Sequence, residues 1–374
     1  MPRLLYFVTE DWAFINHFAD RAAAARDAGY QVSLITRVNA DADRIRAMGI
    51  DLIPVDIDRS STNPLMDLRL IATLVRVYRR VRPDVAHHFA LKPILYGTIA
   101  AKCAGVRHIV NAPTGMGFVF SSETNKARLL RPWVDGAMRL LLNPAGSHVV
   151  LENEDDLQDL RRRGLIAVEH SSLIRGAGVS LERFHPAPKP SGPPVVVVVA
   201  RMLRDKGIVE FVEAARLLRA RGVDAVFRLV GGTDSGNPTS IDPATLHGWQ
   251  REGHVEWLGL RSDVPDLLAA SHIACLPSYR EGLPKSLVEA ASAGLPIVTT
   301  DVPGCRQVVR DGIEGLLVPV RDPAALAEAL GSLIGDPLLR AQMGMAARAR
   351  AVEKFSLERI NAETLELYRS ILTD

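Results

Sequence analysis

The most constraining feature of this sequence is a run of five valines, Val195–Val199, which is followed by Ala200. A strand with apolar side chains on both faces must be covered on both sides, which is typical of the inner strands of parallel sheets. Further short apolar runs precede and follow it, separated by amphipathic stretches of helical length. This alternation predicts an α/β fold built from doubly wound parallel sheets.

The predicted strands fall into two series. The first series is Leu4–Val8, Gln31–Thr36, Ile50–Val55, Val85–Phe89, His108–Asn111 and Ser147–Leu151. The second series is Val195–Ala200, Ala225–Val230, Val255–Leu258, Ile273–Pro277, Pro296–Thr300 and Leu316–Val318. Between the two series, residues 186–194 contain five prolines, which exclude a helix or a central strand and indicate an interdomain linker. We therefore predict two Rossmann-like domains that face a central cleft, with ligands at the carboxyl ends of the strands.

Composition excludes several classes of protein. The 374 residues are 47% hydrophobic and 24% charged, which is ordinary for a globular protein and unlike a disordered chain, a coiled coil or a collagen. No apolar run approaches the ~20 residues that a membrane-spanning helix needs, and the first residues resemble a buried strand rather than a signal peptide. The three cysteines, Cys103, Cys275 and Cys305, have no metal-ligand spacing and indicate reduced thiols in a cytosolic protein.

Charge is distributed unevenly along the chain. Residues 1–175 carry 23 Lys and Arg against 19 Asp and Glu, a net charge of +4, whereas residues 176–374 carry 22 against 24, a net charge of −2. The basic first half indicates an anionic partner or surface. Its excess is too small for a nucleic-acid-binding protein, which concentrates basic residues more strongly.

Two cations follow the valine strand directly. Arg201 and Lys206 lie in a short segment that ends at Gly207 and opens a helix. A strand end, a glycine and a helix N-terminus together form a favourable place for a phosphate, and two cations would neutralise its charge. The alternative is a solvated basic loop.

Two carboxylates follow the predicted strand Ile273–Pro277. Glu281 lies in the loop after the strand, and Glu289 lies inside the next helix, for whose first turn Pro284 is suited. Carboxylates in these positions can hold the hydroxyls of one extended ligand. The alternative is that one is a turn residue and the other an ordinary residue of the helix surface.

The combination of motifs in the second half resembles a known family. The motifs are Arg-x4-Lys-Gly at 201–207, Pro-Ser-x2-Glu-Gly-x-Pro-x4-Glu-Ala at 277–290, Gly-Leu-Pro-Ile-Val at 294–298 and Asp-Gly-x2-Gly-Leu-Leu-Val-Pro at 311–319. They resemble the family-4 retaining glycosyltransferases, which have the GT-B fold. The resemblance implies that Arg201 and Lys206 bind the diphosphate of a nucleotide sugar, that Glu281 contacts the donor sugar and that Glu289 holds the ribose. It also assigns donor binding to the stretch after Glu281, namely Gly282, Leu283, Pro284, Lys285, Ser286 and Leu287.

The first half matches the same family more loosely. His87, His88 and Phe89 are followed by Lys92 and, further on, by an Asn-Ala-Pro-Thr-Gly-Met-Gly segment at 111–117. This pattern resembles a subgroup that builds bacterial surface polysaccharides, although Phe89 replaces a histidine of the family. Either His87 or His88 could touch the donor or the acceptor, with a structural histidine as the alternative. We predict His88 as a catalytic residue beside Glu281, Arg201 and Lys206. Residues 9–16 contain no glycine, and we interpret them as a loop that shapes an acceptor pocket or covers the core.

The resemblance implies a retaining, metal-independent hexosyltransferase that moves a sugar from a nucleotide donor, such as a UDP-sugar, to a polyprenyl-diphosphate-linked sugar. Residues 1–175 would form the acceptor domain, with the helix at about 356–374 packed back on it, and residues 176–355 the donor domain. We expect no cofactor, and the Asp41 and Asp43 pair lacks the further ligands that a metal needs. The alternatives are a soluble acceptor, a GT-B sugar-nucleotide epimerase and an inactive nucleotide-sugar-binding subunit.

One stretch of the first half indicates a membrane surface. Residues 126–142 mix four cations with large apolar side chains, which suits a helix lying in a membrane interface as well as a helix packed on the sheet. Together with the net charge of +4, it predicts a cytoplasmic protein that associates peripherally with the inner face of the membrane.

Overall fold

The computed structural model describes residues 1–57, 64–114, 135–136 and 138–373. The chain divides into two compact units, of which the first is Met1–Ala177 with Leu357–Asp374 and the second is Gly178–Ser356. The proline-rich segment 186–194 lies inside the second unit, so the prediction of an interdomain linker there is wrong. Phe184, which precedes this segment, is already buried in the core of the second unit.

Thirteen strands and fourteen helices are labelled in the described residues. The strands are β1 (Arg3–Glu10), β2 (Gln31–Arg37), β3 (Asp51–Pro54), β4 (Val85–Phe89), β5 (His108–Ala112), β6 (Ser147–Leu151), β7 (Ser171–Leu173), β8 (Val195–Val199), β9 (Val226–Val230), β10 (Glu256–Trp257), β11 (Ile273–Leu276), β12 (Ile297–Thr300) and β13 (Gly315–Val318). The helices are α1 (Asp11–His17), α2 (Ala19–Asp27), α3 (Ala42–Ala47), α4 (Pro64–Val81), α5 (Leu91–Cys103), α6 (Glu154–Arg162), α7 (Ile208–Ala220), α8 (Pro243–Arg251), α9 (Val264–Ala269), α10 (Lys285–Ser292), α11 (Pro303–Val308), α12 (Pro323–Gly335), α13 (Pro337–Phe355) and α14 (Leu357–Thr373). None of the described helices is both long and apolar enough to span a bilayer.

Each unit is built on one parallel sheet. The seven strands of the first sheet have the order β3-β2-β1-β4-β5-β6-β7, and the six strands of the second have the order β10-β9-β8-β11-β12-β13. In both sheets the chain starts in the interior, moves to one edge and then returns to the other side of the first strand. The order therefore reverses between β1 and β4 and between β8 and β11, and ligands of such sheets bind beyond the carboxyl ends of the strands at that reversal.

The valine strand β8 lies in the interior of the second sheet, where it pairs with β9 and β11. Val196, Val197 and Val198 are all fully buried or nearly so, because helices cover both faces of the sheet. This burial explains why polar residues are absent from β8 and appear as soon as the strand ends.

Residues 9–16, interpreted from the sequence as a loop, complete β1 and form most of α1, so that interpretation is wrong. The carboxylate of Asp11 accepts hydrogen bonds from the backbone amides of Trp12, Asn39 and Asp41, at 2.8, 2.5 and 3.1 Å. Burial raises the pKa of Asp11, but these bonds and one from the Asn39 side chain outweigh burial and lower the pKa overall. An ionised aspartate at the helix start is favoured by the helix dipole, which the apolar pattern of the sequence does not reveal.

The C-terminal helix α14 belongs to the first unit and packs on α2. Its Tyr368 is fully buried, and its hydroxyl lies 2.6 Å from Nδ1 of His87 and 3.0 Å from the hydroxyl of Tyr6. These bonds attach the last helix to β1 and β4 through polar groups that are shielded from water. Such groups are costly to leave unpaired.

We predict that Tyr368→Phe destabilises the protein by about 1–3 kcal/mol, because it leaves His87 and Tyr6 buried without their hydrogen-bond partner. The measurement is the thermal unfolding temperature. Tyr30→Phe is the matched control, since Tyr30 is also buried but its hydroxyl makes no hydrogen bond to a described residue. Equal melting temperatures for the two variants would contradict the prediction.

Candidate functional site

The loops that follow β8 and β11 touch at Gly207. Residues 204–206 form a single 3₁₀ turn, and Gly207 has the left-handed φ of 70° before α7 begins. A Cβ at this position would lie 2.0 Å from the carbonyl oxygen of Pro277, which follows β11. Glycine is therefore required for conformation and for space, and it allows the two loops to meet at the reversal of strand order.

Lys206 and Glu281 are brought together at this meeting point. Nζ of Lys206 lies 2.5 Å from Oε1 of Glu281, and the side chains are 22% and 11% exposed. The hydroxyl of Ser278, which is fully buried, lies 2.6 Å from the same oxygen. Among the described residues both contacts of this carboxylate reach Oε1, so Oε2 is left available to a ligand.

Arg201, the other predicted cation, has a different partner. It is 42% exposed and pairs at 2.6 Å with Asp234, which lies in the loop after β9. That loop is folded by a bond from the Asp234 amide to the Ser240 hydroxyl at 3.1 Å, and by one from the Arg204 amide to the Thr239 carbonyl at 2.8 Å. The sequence analysis did not single out Asp234. The nearest signal in the sequence was the position of Asp234 soon after the glycine pair at 231–232, where β9 has ended.

Glu289 lies inside α10, the helix that follows the Glu281 loop. Its side chain is 12% exposed, and its nearest cation is Lys285 at 3.4 Å. Burial raises the pKa of Glu289, while the charges of Lys285 and Arg183 act in the opposite direction without cancelling the effect of burial. Pro284 is the N-cap of the helix, and no acidic residue lies in the first turn. The helix start is therefore electrostatically suited to an anion.

Two further residues hold the Glu281 loop, and sequence reasoning missed both. A Cβ at Gly304, in α11, would lie 2.4 Å from the carbonyl oxygen of Gly282, so this helix approaches the loop backbone as closely as only glycine permits. The hydroxyl of Thr300 donates to the carbonyl of Ser278. The signal for both was their position at the end of β12 or shortly after it, beside the loop that follows β11.

Tyr279 fastens the same loop to the segment after β8. Its amide donates to the carbonyl of Asp205 at 2.9 Å, and its hydroxyl donates to Glu210 of α7 at 2.6 Å. The guanidinium of Arg321 lies 4.5 Å from the centre of its ring, which is cation–π distance. The backbone amide, the hydroxyl and the ring of Tyr279 therefore all restrain the loop between Ser278 and Glu281.

In the first unit, His88 lies in the core. It is fully buried, with Nε2 at 2.8 Å from the hydroxyl of Tyr78 and Nδ1 at 2.9 Å from the side-chain oxygen of Asn111. Burial lowers the pKa of His88 to about 4, although the bond with Asn111 raises it. Both ring nitrogens are therefore used in joining β4 to β5 and α4.

His87 is also fully buried, and it points to the other face of the sheet. Its ring stacks on Phe89 with centroids 4.0 Å apart, and Nδ1 bonds to Tyr368. Burial, with the charge of Arg21 nearby, lowers its pKa well below the ordinary value. Among the described residues no group of three or more His, Cys, Asp or Glu is arranged to hold a metal ion. Most of the basic stretch 126–142 lies outside the described residues.

Comparison with known proteins agrees with this architecture. Residues 181–350 match the family model described as glycosyl transferases group 1, and residues 3–149 match the model described as glycosyl transferase 4-like. The chain is 28% identical, over 98% of both chains, to N,N'-diacetylbacillosaminyl-diphospho-undecaprenol α-1,3-N-acetylgalactosaminyltransferase of Campylobacter jejuni. It is 26% identical to UDP-Gal:α-D-GlcNAc-diphosphoundecaprenol α-1,3-galactosyltransferase of Escherichia coli, over 81% of this chain and 80% of that one.

Solved structures give the same result for the fold. The chain superposes on Anabaena HepE, solved with UDP and glucose, with a TM-score of 0.78 at 20% identity, covering 99% of this chain and 100% of that one. It superposes on sucrose-phosphate synthase of Thermosynechococcus elongatus with a TM-score of 0.80 at 20% identity, covering both chains completely. The two family models and this fold together define the class: the chain is a glycosyltransferase with the GT-B fold. Within that class it belongs to the glycosyltransferases that join a 4-like first domain to a group 1 second domain.

We predict that the stability of the protein falls as the pH drops from about 6.5 toward 4. An unfolded histidine binds a proton below about pH 6.5, whereas folded His88 stays neutral down to about pH 4. The unfolded state then binds more protons, and His88 alone should remove about 1.4 kcal/mol per pH unit within this window. The effect is measured as the melting temperature at several pH values between 7 and 5.

The variant His88→Asn should lower the melting temperature at pH 7 but flatten its dependence on pH, since asparagine does not titrate. His185→Asn is the control, because His185 is exposed, and it should leave the pH dependence unchanged. If His88→Asn and the wild type have the same pH slope, the assignment of the low pKa to His88 is incorrect.

Proposed function

We propose that this chain transfers a sugar from a nucleoside-diphosphate donor, a UDP-sugar, to a sugar linked through diphosphate to a polyprenol, with retention of configuration and without a metal ion. The observation that carries the proposal is the joining of Lys206 and Glu281 at the reversal of strand order in the second unit. The names of the Campylobacter jejuni and Escherichia coli relatives support the acceptor, since both refer to a sugar on diphosphoundecaprenol.

In this proposal the donor diphosphate binds between the two cations. Arg201 and Lys206 neutralise its charge, and the start of α10, at 282–287, offers backbone amides and a favourable dipole to the same phosphates. Glu289 accepts hydrogen bonds from the ribose hydroxyls. Oε2 of Glu281 accepts a hydrogen bond from a hydroxyl of the donor sugar, while Lys206 and Ser278 donate to Oε1 and thereby fix the carboxylate.

The chemistry follows from this placement. When the anomeric bond breaks, positive charge develops on the sugar and negative charge on the departing diphosphate, and the cations of the second unit stabilise that diphosphate as fixed charges. The acceptor hydroxyl attacks the same face that the phosphate leaves, and the leaving phosphate oxygen takes its proton. The protein then needs no separate catalytic base. His88 is not part of this proposal, since both of its ring nitrogens are engaged inside the core.

The first unit would bind the acceptor, and the enzyme would work at the cytoplasmic face of the membrane. A basic first half and free cysteines are consistent with that location. The proposed acceptor carries its own diphosphate beside a long apolar chain, so it remains in the bilayer while its sugar is extended.

The test is a transfer assay with the purified protein, a panel of UDP-hexoses and UDP-N-acetylhexosamines, and a short-chain polyprenyl-diphosphate sugar. The proposal is supported if the product is a lipid-linked disaccharide, extended by one sugar only. An α-linked donor should give an α linkage in this product. Activity should persist with added chelator. Transfer to free sugars in preference to the lipid-linked acceptor would favour a soluble acceptor. Interconversion of UDP-sugars without an acceptor would identify an epimerase, and donor binding without turnover an inactive subunit.

We predict that Lys206→Ala and Arg201→Ala each weaken binding of UDP by roughly 10- to 150-fold, because a hydrogen bond to a charged group contributes about 1.5–3 kcal/mol. Binding is measured by titration calorimetry. Arg204→Ala is the matched control, since Arg204 is an exposed cation of the same turn and should leave the affinity unchanged. Similar losses for all three variants would indicate only a general effect of basic charge.

We predict that Ser278→Ala lowers kcat of transfer about tenfold or more while changing the donor KM less, because a misplaced Glu281 affects mainly the reacting sugar. Ser278 is a positioning residue, since it acts through that carboxylate. Ser332→Ala, on an exposed helix position, is the control and should match the wild type. A rise in donor KM at constant kcat would show that Ser278 supports ground-state binding instead.

A further inference from the structure

A group of exposed apolar side chains lies at the start of α4. Leu65, Met66 and Leu68 are 69%, 50% and 62% exposed, although α4 also supplies Leu74 and Tyr78 to the core of the first unit. Isolated exposed leucines are common on protein surfaces, but several within one turn of a helix are characteristic of an interaction site.

The exposed residues of α4 form one continuous stripe. Leu65 and Leu68 are followed at helical spacing by Ala72, Arg76 and Arg79, and all of these are exposed. The core-facing residues occupy the opposite side of the helix. From Leu65 to Arg79 the stripe extends for about 21 Å at 1.5 Å per residue, which is most of the length of this 18-residue helix.

The charge of this stripe has one sign. Arg69 and Arg80 flank the residues of the stripe and are also exposed, so four arginines border or lie on this face. The helix has a single acidic residue, Asp67, which hydrogen-bonds to the Tyr96 side chain instead. Within the described ranges none of the four arginines lies within ion-pair distance of a carboxylate, although Arg79 also donates to the carbonyl of Cys103 at 3.2 Å.

The topology of the first sheet places the apolar end of α4 at a particular edge. The helix connects β3 to β4, two strands that both belong to the parallel sheet. Such a helix runs opposite to the strands, so its start lies at the edge where the strands have their carboxyl ends. The exposed leucines therefore lie at the ligand-binding edge of the first sheet, and the last arginines lie toward the other edge.

We propose that the α4 surface, formed by Leu65, Leu68, Arg69, Arg76, Arg79 and Arg80, docks on an anionic lipid bilayer. The leucines would enter the boundary between headgroups and acyl chains, and the arginines would bind the phosphates of the headgroups. Nucleic acid would use the arginines but leave the leucines without a function. The inference rests on the proposed function in one respect, since a lipid-linked acceptor gives the enzyme a reason to lie on a membrane.

Docking through this surface would bring the acceptor to the edge of the first sheet where its strands have their carboxyl ends. A lipid-linked sugar protrudes only a short distance from the bilayer, so the acceptor site must lie close to the headgroups. With the start of α4 in the interface, the carboxyl ends of β1 and β4 lie on the side from which such an acceptor arrives.

The test is co-sedimentation of the full chain with vesicles of phosphatidylcholine containing about 30 mol% phosphatidylglycerol, at low and high salt, with pure phosphatidylcholine vesicles in parallel. The wild type should bind the anionic vesicles and be released by salt. Arg76→Gln/Arg80→Gln should lower the partition coefficient about tenfold or more, since each arginine near such a surface contributes roughly a factor of five. Leu65→Ser/Leu68→Ser should also lower it, and at high salt as well as low salt.

Matched controls come from the second unit. Leu338→Ser/Met345→Ser changes two apolar residues of α13 that are 76% and 68% exposed, and Arg219→Gln/Arg251→Gln removes two exposed arginines. Both should bind vesicles as the wild type does. Circular dichroism and melting temperature verify that all variants are folded, which is expected for exposed positions.

Three results would overturn the inference. They are wild-type binding that ignores anionic lipid, α4 variants that bind as well as the wild type, and lipid-free self-association that is lost in the same variants. The last result would identify the surface as a protein interface.

Transfer to a water-soluble, short-chain acceptor is measured alongside, and the α4 variants should retain it. Absence of transfer in the wild type would refute the proposed function. The comparison of vesicle binding between the wild type and the α4 variants would still decide whether α4 docks on the membrane.

Discussion

The close approach of two loop backbones at Gly207 is the constraint on which the rest of the second unit depends. β8 and β11 are neighbours in the sheet although two strands and three helices lie between them in the sequence. Their loops can meet because residue 207 has no Cβ, and the carbonyl of Pro277 occupies the space. Once the loops meet, Lys206 and Glu281 face each other at hydrogen-bond distance, and Ser278, Tyr279 and Gly304 prevent the loop from moving away.

The two cations of the site are already paired with carboxylates, Arg201 with Asp234 and Lys206 with Glu281. An ion pair of this kind holds a long side chain in one place, and the low exposure of the Lys206–Glu281 pair strengthens its interaction with any charge that arrives. In the proposed function, an entering diphosphate therefore meets groups whose orientation is already set. Glu281 in particular has one oxygen engaged and one available, which gives the carboxylate a defined direction.

Much of this architecture could be predicted because strongly apolar strands leave a clear pattern. The limits of β4 and β6 coincide with the predicted ones, and those of β8 differ by one residue, since a buried run ends where polar residues begin. The helix α1 was missed because it depends on hydrogen bonds to Asp11 from residues almost thirty positions away. Asp234 and Gly304 were missed for a related reason: each matters through a loop that is distant in sequence. The position of His88 at a strand end indicated neither its burial nor its partners Tyr78 and Asn111.

The return of α14 to the first unit has a consequence for the order of folding during synthesis. Residues 178–356 form a continuous unit, so this part can fold as soon as it has left the ribosome. The first unit begins earlier but lacks Ile360, Leu367 and Tyr368 of its own core until the last helix has been made. The unit that is synthesised first is therefore completed last, and its incomplete apolar surface is exposed for the time that translation of the second unit requires.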